Sequence, residues 1–146
     1  MFLGQYSHTV DDKGRLTIPS RFRADLEGGV VITRGLDGCL WAYPRSEWDR
    51  QVEAINALPT TTNAAARNFV RFFFSNASDS VPDRQGRVLI PQNLRDYAAI
   101  TSETVVVGVN NRVEIWNPER WAEVFNKVEA DPDAMMSQLQ DMGISL

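Results

Sequence analysis

The sequence predicts an α+β, β-rich fold made by duplicating one supersecondary unit, and three observations carry that prediction. Asp11-Asp12-Lys13-Gly14-Arg15-Leu16-Thr17-Ile18-Pro19 aligns with Asp83-Arg84-Gln85-Gly86-Arg87-Val88-Leu89-Ile90-Pro91 at an offset of 72 residues, with Asp, Gly, Arg, Ile and Pro identical. The likeness continues in the same order. Val30-Val31-Ile32 corresponds to Val105-Val106-Val107, and Tyr43-Pro44-Arg45-Ser46-Glu47-Trp48 to Trp116-Asn117-Pro118-Glu119-Arg120-Trp121, at offsets of 73 to 75 that mark a small loop insertion. In both copies short β-prone runs alternate with short helix signals. A chain of 146 residues, 43% of them hydrophobic, is one domain or two very small ones sharing a core.

The elements follow in chain order. Asp opens and Gly closes a four-residue turn at Asp11–Gly14 and again at Asp83–Gly86, because the carboxylate caps nearby amides and glycine accepts positive φ. Arg15–Ile18 and Arg87–Ile90 then read as short strands, each stopped by a proline that cannot donate to a ladder. Pro19–Leu26 and Pro91–Ala98 suit short helices, with Phe22/Leu26 and Leu94/Ala98 four apart on one face. A hairpin comes next in each copy. Val30–Thr33 and Leu40–Tyr43 flank Gly35-Leu36-Asp37-Gly38, while Val105–Val109 and Val113–Trp116 flank Asn110-Asn111, which tolerate left-handed backbone.

A helix from near Pro44 to before Pro59 buries Trp48, Val52 and Ile55, and Asn117-Pro118-Glu119 starts its counterpart, which runs to about Val128. Between the copies, Asn63–Asn76 reads as a helix with Phe69, Phe72 and Phe73 on one stripe, for core packing or burial between subunits. Asp131-Pro132 begins a last helix with Met135, Met136, Leu139 and Met142 on a soft apolar face.

Composition removes several functions. No apolar stretch approaches the roughly 18 residues of a membrane span, and the N-terminus lacks a signal pattern, so a cytoplasmic location without membrane contact is expected. A lone Cys39 makes no internal disulfide and holds no zinc, and beside Gly38 and Leu40 it reads as a small hydrophobe. One histidine, His8, restricts catalysis. No cofactor, metal site, nucleotide loop or small-molecule substrate is indicated, and the chain is not expected to be an enzyme. A hydrolase built on Asp11, Asp12 and His8 would need those groups to converge in a pocket.

The charge is uneven. The net charge is −4, yet Glu129, Asp131, Asp133 and Asp141 lie in a tail without Lys or Arg, which leaves a neutral body. Lys13–Arg23 and Arg84–Arg95 contain Lys13, Arg15, Arg21, Arg23, Arg84, Arg87 and Arg95 and no acid. An Arg directly after a turn glycine can reach a phosphate or the O6/N7 edge of guanine, or can pair with its own turn aspartate. Its recurrence in both copies, beside an acid-free window, favours the binding role.

These two loops, the opening Met1-Phe2-Leu3-Gly4-Gln5-Tyr6 and the chain length closely resemble the MraZ family of bacterial transcriptional regulators, over nearly the whole chain. The resemblance implies two SpoVT-AbrB-type repeats, related to the MazE antitoxin and AbrB, folded as an AbrB-like β-barrel pseudo-dimer of swapped hairpins with peripheral helices. It divides the chain into repeat 1 at 5–52, a helical connector at 53–80, repeat 2 at 81–124 and a helical acidic tail at 125–146. It also implies a ring-like homo-oligomer that binds double-stranded DNA at repeated promoter elements upstream of the division and cell-wall gene cluster, usually as a repressor on the nucleoid. The DNA-contacting motif carries over to Lys13, Gly14 and Arg15, and to Gln85, Gly86 and Arg87. Gln85 departs from the first copy's Lys13, and Arg84 next to it restores the charge. The competing expectation is an antitoxin-like module that docks another protein through the Phe69 stripe or the Met-rich tail.

Overall fold

Every strand of the fold is antiparallel to its neighbours, and most of the pairing joins one copy to the other. The computed structural model describes residues 1–146. The strands are β1 (Gln5–Thr9), β2 (Arg15–Thr17), β3 (Val30–Arg34), β4 (Leu40–Pro44), β5 (Ser78–Ser80), β6 (Arg87–Leu89), β7 (Glu103–Gly108) and β8 (Val113–Trp116). Six form a sheet in the order β1-β7-β8-β4-β3-β5, and β2 with β6 forms a separate two-stranded ribbon. Exchanging β1 with β5, β2 with β6, β3 with β7 and β4 with β8 leaves both orders unchanged, so a pseudo-two-fold axis relates the copies.

Both expected hairpins form, with Val31 opposite Tyr43 in the first and Val106 opposite Ile115 in the second. Asp37 and Asn110 take positive φ, 66° and 74°, in their respective loops. The halves are then swapped into each other. β1 of the first copy adds to β7 of the second, with Ser7 opposite Val105, and β5 of the second adds to β3 of the first, with Asp79 opposite Val31. β4 pairs β8 at the centre, Trp41 facing Glu114. This is the swapped-hairpin α+β arrangement. Pattern reading missed β1 and β5 because Gln-Tyr-Ser-His-Thr and Ser-Asp-Ser lack an apolar run, as suits strands at the two edges of a sheet.

The ribbon closes over one face of the sheet. Leu16 and Val88 sit opposite each other, and with Ile18 and Ile90 they enter a core completed by Phe22, Leu26, Val30, Ile32, Leu40, Leu94, Val106, Val113 and Ile115. The period of two puts Arg15, Thr17, Arg87 and Leu89 on the ribbon's outer face. Phe22 packs edge-on to both Phe2 and Tyr6. A 3-10 turn at Ser20–Phe22 precedes α1 (Arg23–Leu26), where a single short helix was expected, and its counterpart is α4 (Gln92–Tyr97).

Helices cover the other face. α2 (Arg45–Asn56) and α3 (Ala64–Phe74) build an aromatic cluster in which Phe73, 1% exposed, stacks on Trp48 at 5.2 Å and on Phe69 at 5.5 Å. The expected three-phenylalanine stripe is therefore split. Phe72, about 100° round the helix from Phe73, meets Tyr97 and lies under the Arg34 guanidinium at 4.7 Å. α5 (Pro118–Ala130) is capped by the Asn117 side chain, which accepts from the Glu119 and Arg120 amides. α6 (Pro132–Asp141) leaves Met135 and Met142 exposed. Cys39 is fully buried and burial pushes its thiol up, as suits a packing residue. No helix is long and apolar enough to cross a membrane.

Candidate nucleic-acid interface

Each duplicated turn is built around one aspartate. Asp11 Oδ1 accepts from the Lys13 amide at 3.0 Å and the Arg15 amide at 2.9 Å, while the Gly14 N–H donates to the Asp11 carbonyl at 3.0 Å. Asp83 Oδ1 accepts from Gln85 and Arg87, both at 2.9 Å, and Gly86 donates to the Asp83 carbonyl at 2.9 Å. Gly14 and Gly86 complete the turns at φ 84° and 74°, a region that costs other L-residues steric strain. Two amides on one carboxylate oxygen leave the backbone little freedom.

The second carboxylate oxygen takes the guanidinium. Arg15 Nε donates to Asp11 Oδ2 at 2.9 Å, and Arg87 Nε donates to Asp83 Oδ2 at 2.8 Å. The sequence favoured arginines held out for binding over partners of their own turns; the structure pairs both with their turn aspartates, leaving the Arg15 and Arg87 side chains 32% and 26% exposed. Backbone amides first, from Arg15 and Arg87, and then the guanidinium groups hold the Asp11 and Asp83 carboxyls below the usual carboxylate range. Pairing through Nε leaves the Nη edge of each fork for another acceptor. The two turns also meet, since Arg87 Nη1 lies 3.9 Å from Asp11 Oδ2.

Lys13, Arg84 and Gln85 are exposed around the turns, whereas Gly14 and Gly86 are buried. What buries the glycines was not anticipated from sequence. A Cβ on Gly14 would meet the Arg95 guanidinium at 2.9 Å, and one on Gly86 would meet Arg23 Nε at 2.5 Å. Arg23 and Arg95 therefore belong to the site. The signal was present, because these two arginines stand at the same 72-residue offset as Arg15 and Arg87. His8, on the inward side of β1, is held below its usual pKa by burial and then by the nearby Arg23 charge. Asp11, proposed by the hydrolase reading as a reactive carboxylate, has both oxygens occupied, and Asp12 is exposed. The arrangement gathers six basic side chains, Lys13, Arg15, Arg23, Arg84, Arg87 and Arg95, at two adjoining turns, with two guanidinium groups fixed in orientation.

Comparison with known proteins agrees in extent with this duplication. A family model described as "MraZ protein, putative antitoxin-like" matches residues 1–72 and again 73–141. The chain is similar to the "Transcriptional regulator MraZ" of Moorella thermoacetica, 50% identical over 144 residues that cover 99% of this chain and 100% of the relative. It is similar to that of Clostridium acetobutylicum, 47% identical with the same coverage, and to that of a Roseiflexus species, 46% identical over 97% of this chain and 99% of the relative. Matched twice along its length and paired with relatives end to end, the chain belongs to the MraZ family.

Proposed function

We propose that the protein is a sequence-specific transcriptional regulator that binds double-stranded promoter DNA through its two duplicated turns. The observation that carries this reading is the pair of aspartate-clamped arginines, Arg15 and Arg87, set diagonally on the outer face of one ribbon. A guanidinium gripped at Nε keeps a fixed plane and presents its Nη edge, the geometry suited to two parallel hydrogen bonds with guanine O6 and N7. Lys13 and Arg84 neutralise phosphates, Gln85 takes the place of Lys13 in the second turn, and Gly14 and Gly86 serve the contact by holding each turn in the shape that presents its arginine. In this reading the repeats lie at 5–52 and 81–124, the 53–80 connector ends in β5, which serves the second copy as its edge strand, and 125–146 is the acidic tail.

One subunit makes too few contacts to select a promoter, since each good Arg–guanine pair discriminates by about 1–3 kcal/mol. A ring-like homo-oligomer on tandem promoter repeats supplies the remainder by raising the effective concentration of neighbouring turns. The target is the promoter of the bacterial division and cell-wall gene cluster, the output repression, and the location the nucleoid. A footprint of the purified protein on the DNA upstream of its own gene, with its mass in solution, tests target and assembly together. Arg15→Ala is expected to weaken binding about 10- to 100-fold with an unchanged circular dichroism spectrum. Unaltered gel-shift titration by that variant would remove the proposed contact.

A further inference from the structure

The two arginines over the glycines are each supplied by the opposite copy. Arg95, from copy two, covers Gly14 of the first turn, and Arg23, from copy one, covers Gly86 of the second. The same crossing runs through the backbone. Arg95 Nε donates to the Ile90 carbonyl at 2.9 Å, and the Ile90 N–H donates to the Gly14 carbonyl at 2.8 Å. Arg23 Nε donates to the Ile18 carbonyl at 3.0 Å, and the Ile18 N–H donates to the Gly86 carbonyl at 2.8 Å. Ile18 and Ile90 are core residues, 4% and 0% exposed, so each chain of bonds is anchored in the packed core.

We infer that Arg95 and Arg23 are positioning residues wired crosswise, Arg95 setting the presentation of Arg15 and Arg23 setting that of Arg87. Lying over the glycine, each guanidinium occupies the space into which the turn would otherwise swing. Its Nε bond also fixes the carbonyl of the same isoleucine whose N–H holds the glycine carbonyl. The planar fork matters as much as the charge, because an ammonium offers neither a flat surface to lie over the glycine nor an Nε donor. The consequence for DNA rests on the functional reading above, whereas the brace itself is a property of the free protein.

Amide hydrogen exchange of the full chain without DNA reads the brace directly. Arg95→Gln is expected to speed exchange at residues 13–15 and at the Ile90 amide on the order of fivefold or more, with residues 85–87 unchanged, and Arg23→Gln is expected to give the mirror pattern. Arg95→Lys should behave as Arg95→Gln. Equal acceleration of both turns, acceleration of the turn in the same copy, or full restoration by lysine would each overturn the inference. A double-mutant cycle on a promoter fragment then carries the brace to binding: Arg95→Gln should be less than additive with Arg15→Ala and additive with Arg87→Ala. Crossed exchange patterns combined with undiminished promoter binding by Arg15→Ala would leave the brace standing and defeat the DNA reading alone.

Discussion

The two turns are a natural experiment within one molecule. Their shared residues, Asp, Gly and Arg, make the same bonds to within 0.1 Å: aspartate to arginine amide at 2.9 Å in both, and guanidinium Nε to carboxylate at 2.9 and 2.8 Å. Their differing residues, Asp12 against Arg84 and Lys13 against Gln85, are all exposed. Duplication has kept what shapes the turn and let vary what the turn shows to solvent. The turns differ in one internal respect as well. Asp11 is approached by both arginines, through Arg15 Nε at 2.9 Å and Arg87 Nη1 at 3.9 Å, so the first turn is the one on which both guanidinium groups draw.

Breaking the shared part should have the largest effect. Gly14→Ala and Gly86→Ala place a side chain at φ 84° and 74°, each costing about 1–2 kcal/mol of backbone strain. They also force the covering arginine aside, so urea unfolding should show lower midpoints for both variants. Gly86→Ala should be the worse of the two, its Cβ meeting Arg23 at 2.5 Å against 2.9 Å for Gly14 and Arg95. A midpoint equal to wild type would show that the turns have no need of glycine.

Next in size, Asp11→Asn should loosen both turns while Asp83→Asn loosens mainly its own. Amide exchange at Arg87 in the Asp11→Asn protein distinguishes this shared role from two independent clamps. The varying part is sharpened by exchanging it. Lys13→Gln should reduce the salt dependence of promoter binding by about one unit of log K against log salt, and Gln85→Lys should raise it by a similar amount. Equal slopes in wild type and both variants would place neither position on a phosphate.

The smallest effect is on pH. Because both aspartates titrate below their ordinary value of 3.8, their contribution to stability is complete above that value. It disappears as the pH falls through the lower folded-state values. Acid titration followed at the Arg15 and Arg87 amide resonances should leave both unmoved at neutral pH, and a change near pH 6 would contradict the clamp.

Local chemistry made much of this fold readable. The turns, both hairpins, the Asn117 cap and the helix at Asp131-Pro132 are dictated by residues within a few positions of each other, and pattern reading places them correctly. The resemblance, rather than periodicity, led to the swap. Pairing β1 with β7 or β3 with β5 depends on register across about 50 to 100 residues, which no local pattern encodes. The site was legible to a similar depth. Arg15 and Arg87 stand out beside their glycines, but Nε pairing to aspartate is a matter of side-chain direction, and the covering of Gly14 by Arg95 follows only from the swap.

That swap has a thermodynamic corollary. When two separate chains exchange hairpins, diluting them dissolves the core they share, because folding is then a second-order event. Here the Leu16–Val88 contact closes between segments of a single polypeptide, so forming this core is a first-order event that dilution does not oppose. A melting temperature that varied with dilution would therefore report separate chains meeting one another, since the two copies find each other at a rate independent of concentration.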